Sequence, residues 1–75
     1  MREGFIVWNE SNYGSEFYGV YRTFGQALKQ LRKVTKAKYG KCPRSYEYIV
    51  DFLTENENDG DSLKITAFRE KKGDK

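Results

Sequence analysis

Histidine is absent from the chain, and cysteine, proline, methionine and tryptophan each occur once in its 75 residues. Without imidazole there is no Ser-His-Asp triad, no Cys-His dyad and no histidine-liganded metal. The lone Cys42 has no partner for an internal disulfide, which favours a reducing compartment. It also lacks an imidazole to activate it. Its Lys and Arg neighbours would lower a thiol pKa, but an incidental thiol in a loop is the ordinary reading. No glycine-rich phosphate loop is present, since Gly14 and Gly19 do not fit the spacing of a P-loop or a dinucleotide fingerprint. The longest apolar run near the start, Phe5-Ile6-Val7-Trp8, is too short for a signal peptide or a membrane span. These absences lead us to expect a cytoplasmic protein with no cofactor, no metal, no membrane contact and no catalytic site. Glu47 and Asp51 are carboxylates of the kind used in acid–base chemistry, but an outward, charged strand face accounts for them.

Acidic residues are missing from one stretch in particular. Residues 22–44, RTFGQALKQLRKVTKAKYGKCPR, hold eight Lys or Arg and no Asp or Glu. The segments before and after it carry net charges of −2 and −3, so the overall +3 conceals a strongly uneven distribution.

Aromatic residues, at 16%, are plentiful for a chain that at this length forms one small domain. We assign residues 1–70 to that domain and 71–75 to a flexible tail. Residues 4–9, GFIVWN, read as a strand, ESNYGS as a loop, and 16–22, EFYGVYR, as the hairpin partner. Gly19 suggests a bulge or a close approach by another element. Thr23 starts a helix, with Gln26 three residues on as in a capping box. Phe24, Ala27, Leu28, Leu31 and Val34 fall on one face at helical spacing, and Phe24, Leu28, Leu31 and Val34 are predicted to be buried against a sheet. Gly40 and Pro43 end the helix.

Residues 45–54, SYEYIVDFLT, alternate Tyr46, Tyr48, Val50 and Phe52 with Glu47, Ile49, Asp51 and Leu53. That period of two predicts a strand; a helix is the alternative. ENENDGD reads as a turn, and 62–70, SLKITAFRE, as the last strand. Glu55, Glu57, Asp59 and Gly60 mimic the first half of a calcium loop, but its twelfth position is Thr66, where a bidentate Glu is needed. A hairpin turn on Asp59-Gly60 explains the same residues. The expected fold is therefore α+β, two layers in the order ββαββ, with one helix on an antiparallel sheet. One helix covers one face, so the other is left for a partner or a second copy of the chain. Ile6, Trp8, Ile49 and Leu53 are its candidate contacts.

On the helix, Lys29, Arg32, Lys33 and Lys36 lie together, nearly opposite Leu28 and Leu31. Lys and Arg suit a helix C-terminal half, at about 0.3–1 kcal/mol per charge. The like-charge pairs 29/32, 29/33, 32/36 and 33/36 oppose this at roughly 0.2–0.5 kcal/mol each. A face shaped for stability alone would intersperse Glu. We therefore read a binding face, continued by Lys38, Lys41 and Arg44, with Tyr39 available to stack. Its expected partner is an acidic protein surface or a nucleoprotein complex; direct binding of DNA or RNA is the alternative. No helix-turn-helix, zinc module or KH loop is visible, and the likeness of EFYGVYRTF to an RNA-recognition strand lacks the elements that must precede it.

The combination of GFIVWNES, FYGVYRTFGQALKQLRKV and SYEYIVDFL, over most of residues 4–53, resembles very small phage-encoded proteins with a hairpin-helix-strand core. Gly19, Val20, Tyr21 and Thr23 carry the likeness where the hairpin runs into the helix, with Ala27, Leu28 and Leu31 on the helix. The resemblance implies a counter-defence or host-modulating protein that binds and redirects or inhibits a host machine. It transfers no functional residue. The chain departs from acidic DNA mimics of similar size, because its marked patch is basic.

Overall fold

The computed structural model describes residues 3–57 and 60–69. Five elements follow in the order ββααβ: β1 (Glu3–Ser11), β2 (Gly14–Tyr21), α1 (Phe24–Tyr39), α2 (Tyr46–Asn56) and β3 (Ser62–Arg69). The sheet has three strands in the order β2-β1-β3, antiparallel throughout, with β1 in the middle. The fold is α+β as expected, but among the described residues it has three strands and two helices where four strands and one helix were expected. Glu70 and the expected tail, 71–75, lie outside the described residues.

The β1–β2 hairpin forms where the alternating aromatic runs place it. Its tip is closed by the Ser11 hydroxyl, which accepts from the Tyr13 amide and donates to the Gly14 carbonyl at 2.7 Å. Gly19 sits at the expected bulge. Val7 faces Gly19 and Trp8 faces Phe17, so Tyr18 has no opposite number on β1. Gly19 adopts φ +136°, and a Cβ there would run into the Tyr21 ring, whose hydroxyl donates to the Tyr18 carbonyl at 3.0 Å. Backbone and space thus both require glycine. Gly19→Ala is expected to cost about 1–3 kcal/mol, read as a lower denaturation midpoint; an unchanged midpoint would refute this account of the bulge.

α1 begins and ends on its sequence signals. The Thr23 side chain accepts from the Gln26 amide, and the Gln26 side chain accepts in return from the Thr23 amide. Gly40 closes the helix in the left-handed region at φ +82°. Ala27, Leu31 and Thr35 are its buried residues, and the Thr35 hydroxyl donates to the Leu31 carbonyl at 2.7 Å. Of the four side chains predicted to be buried, Leu31 is; Leu28 and Val34 are half-buried. Phe24 remains 37% exposed, with its ring edge-on to Phe5 and Tyr46.

Residues 45–54 correct the main expectation. Ser45 is the N-cap of α2, its side chain accepting from the Tyr48 amide, and no strand forms there. As a strand, the segment would place Glu47 and Asp51 on the same face as Ile49 and Leu53. As a helix, it gathers Ile49, Leu53, Tyr46 and Phe52 inward and turns Glu47 and Asp51 to solvent. The helix therefore separates acids from aliphatics, which the strand cannot do. The Glu57 side chain accepts from the Leu63 amide and ties the end of α2 to β3. The expected Asp59-Gly60 hairpin turn falls with the fourth strand: Gly60 lies in the α2–β3 connection, and Asp59 lies outside the described residues.

Both helices cover one side of the sheet. Val7 and Leu63 from the strands join Ala27 and Leu31 of α1 and Ile49 and Leu53 of α2 in a single buried cluster. Asn9 is buried on the same side, and its Oδ1 has no hydrogen-bond partner. The even-numbered residues of β1 point to the other side, which no described element covers.

Candidate functional site: a basic helix face and an open aromatic sheet

The helical phase that sends Ala27 and Leu31 inward sends Lys29, Arg32, Lys33 and Lys36 outward, and all four are exposed. Two shallow grooves flank this row. One, between α1 and the end of β2, is lined by Val20, Tyr21, Arg22, Gln26, Lys29, Gln30 and Lys33. The other is lined by Lys29, Arg32, Lys33, Lys36, Gly40, Lys41 and Cys42. Lys29 and Lys33 belong to both, so a continuous cationic strip runs from Arg22 to Lys41. Among the described residues, the ion pairs are Lys38–Asp61, Lys64–Glu10 and Arg69–Glu3. None of them involves a cation of this strip. At physiological salt the screening length is about 8 Å, so the field of so close a group of charges adds up at the surface.

Not every residue predicted for the basic face belongs to it. Lys38 turns towards the α2–β3 connection, 4.0 Å from the Asp61 carboxylate, with its ammonium 5.7 Å from the Tyr39 ring centroid. Tyr39 is half-buried and packs edge-on against Phe52, with centroids 5.6 Å apart. Burial, together with the charges of Glu57 and Asp61, raises its phenol pKa. It is not available to stack on a base, because the helix turns it onto α2. Arg44 is exposed in the α1–α2 connection and lines neither groove. Arg22 was the one cation of the basic stretch left out of the predicted face. It precedes the helix, and only the packing of β2 beside α1 brings it alongside Lys29.

Cys42 lines the second groove but is not an activated thiol. Burial pushes its pKa up, against the opposing pull of the Arg32 charge and of the nearby Thr35 hydroxyl. Its thiol lies 3.2 Å from the Pro43 carbonyl and donates to it. Among the described residues, no three His, Cys, Asp or Glu gather where they could hold a metal ion. Glu57 of the supposed calcium half-loop and Thr66 at its twelfth position are engaged elsewhere, Glu57 accepting from the Leu63 amide and Thr66 from the Trp8 indole at 2.8 Å. Among the described residues, no helix is long and apolar enough to cross a membrane.

The opposite side of the sheet carries the second candidate surface. Ile6 and Trp8 lie on it as expected, and the β1–β2 and β1–β3 registers add Val20, Phe17, Lys64, Thr66 and Phe68. Phe17 is 70% exposed, Val20 64% and Phe68 38%. Trp8 and Phe17 stack, with centroids 5.9 Å apart and 15° between ring planes. The Lys64 ammonium bonds the Glu10 carboxylate at 2.8 Å and lies 4.8 Å from the Trp8 ring centroid. Ile49 and Leu53 do not belong to this face. They are core residues of α2, at 0% and 3% exposure, because the segment that carries them is helical. Phe17 and Val20 were missed because residues three apart alternate faces in a regular strand. The bulge at Gly19 puts them on the same one; that glycine was the available signal.

Comparisons with protein-family models, with curated proteins and with solved structures found no match in any of the three.

Proposed function

We propose that the chain is a small non-catalytic binding protein that modulates or inhibits a host protein or nucleoprotein complex. The basic face of α1 docks on an acidic surface, and the aromatic sheet residues supply the apolar contact that holds the assembly together. The observation that carries this reading is the strip Arg22, Lys29, Arg32, Lys33, Lys36 and Lys41. None of these cations has a carboxylate partner among the described residues, while Lys38, Lys64 and Arg69 each have one. A cationic row of this kind speeds encounter with an acidic partner and sets its orientation.

Direct nucleic-acid binding is the second reading, and the continuity of the two grooves favours it, since a run of cations can follow a phosphate backbone. Two features weigh towards a protein or nucleoprotein partner. Gln26 and Gln30, the neutral polar side chains beside the strip, are committed internally, to the Thr23 amide and the Tyr18 carbonyl. That opposes the two-point amide contact by which a Gln reads an adenine edge. Tyr39, the expected stacking residue, is turned away. Capture from lysate of a candidate host, with and without nuclease, separates the readings. Nuclease-resistant capture of a defined protein supports the first reading, and capture abolished by nuclease supports the second.

A further inference from the structure

We infer that the open sheet face is a homodimer interface, covered by the same face of a second copy of this chain. Apolar side chains from all three strands meet there: Ile6 and Trp8 of β1, Phe17 and Val20 of β2, and Phe68 of β3. The Phe68 ring lies over Gly4, where a Cβ would stand only 2.9 Å from it, so the ring covers the bare backbone of the central strand. Apolar side chains thus run across this side of the sheet, with the Lys64–Glu10 pair and Thr66 beside them, while the other side is buried under two helices.

Charge identifies the occupant. The ionic side chains that β1 and β3 place on this face are closed on one another: Lys64 is bonded to Glu10 at 2.8 Å and set over Trp8. A phosphate backbone needs unpaired cations, and a charged protein partner needs a field of the opposite sign. The middle of this face offers neither, and Arg22 stands only at its rim, beside Gly4 and Phe68. A neutral apolar face is complementary to itself, and two-fold dimers join identical patches.

The topology suits that symmetry. Because β1 is the middle strand, a two-fold axis lying between two stacked sheets, along or across the strands, sets β1 against β1 of the second copy. Ile6 and Trp8 then face their own equivalents, with Phe17 and Phe68 on either side. Stacked sheets lie about 10 Å apart, a gap that side chains of this size fill. A standard interface takes roughly 800 Å² from each partner, about one-seventh of this chain's 5721 Å² surface. One side of a two-layer domain can supply that share. The dimer turns its two helix layers outward in opposite directions. Resting on the reading of the α1 face given above, it would present two basic strips and bridge two acidic surfaces, with a gain in avidity.

Sedimentation equilibrium of the purified chain, with no partner present, tests the interface apart from that reading. The expected result is a concentration-dependent species of twice the 8.8 kDa chain mass. Phe17→Glu should weaken the association by about 30-fold or more, as for a central interface residue. It should leave the circular dichroism unchanged, because Phe17 is 70% exposed. If that variant fails to fold, Val20→Glu, at 64% exposure, takes its place. Charge reversal of α1 should leave the dimer intact. A wild-type chain that stays monomeric at roughly 1 mM, where a dimer with a Kd below that value would be well populated, would overturn the proposal. So would a dimer unmoved by both variants, or a monomer whose sheet face binds single-stranded polyuridine in a Phe17-dependent way.

Discussion

Reversing Lys29, Arg32, Lys33 and Lys36 to Glu is expected to abolish partner binding while the domain still folds. All four side chains are exposed, and none pairs with a carboxylate among the described residues. The charges change sign, and their mutual repulsion stays much the same. The cost to folding comes mainly from Lys36, which lies in the last turn of α1. A Glu there meets the negative end of the helix dipole, a loss of about 0.3–1 kcal/mol. The melting temperature should therefore fall by only a few degrees. Salt then tells the partner classes apart. For a duplex, log affinity falls with log salt at about −0.9 per phosphate neutralised, or roughly −4 to −6 for four to seven contacts. For a protein partner, salt mainly slows association, because exposed charges act through steering and are screened within about 8–10 Å. Undiminished binding by the four-Glu variant would return these residues to the status of a solvated helix face.

Leu31→Ala should be the most damaging single truncation in α1. Leu31 is 1% exposed and sits in the buried cluster with Val7, Ile49, Leu53 and Leu63, so it joins α1 to the sheet and to α2. Removing a buried leucine side chain costs about 2–5 kcal/mol, the spread reflecting how far the cavity collapses. A core of this size supplies roughly 3–5 kcal/mol of net stability. The variant is thus expected to be largely unfolded at 37 °C by circular dichroism. A melting temperature within a degree of wild type would show that the inward face of α1 is assigned wrongly. Thr35 makes the useful contrast. It is just as buried, but its hydroxyl is satisfied by the Leu31 carbonyl at 2.7 Å. Thr35→Val should consequently cost less than Leu31→Ala.

Local chemistry was legible from the residues alone. The Thr23–Gln26 capping box, the stop at Gly40, the hairpin and the bulge at Gly19 each depend on groups a few residues apart, whose preferences hold whatever surrounds them. The cationic face was legible for the same reason. Helical phase alone sets Lys29, Arg32, Lys33 and Lys36 on one side, and no acid lies between Arg22 and Arg44 to neutralise them. Long-range packing decided the rest. In residues 45–54 the aromatic alternation points to a strand, while a helical period separates the acids from the aliphatics. The competition is settled by where Ile49 and Leu53 find an apolar surface, which is the single cluster under α1 and β3. Tyr39 left the basic face because Phe52, thirteen positions on, lies against it. Arg22 joined the strip, and Phe17 and Val20 joined Trp8, because strand register and a bulge brought them there. Caps, turns and charge phase are properties of neighbouring residues. Burial, register and the sharing of a surface depend on residues far apart in the chain, so only the folded arrangement defines them.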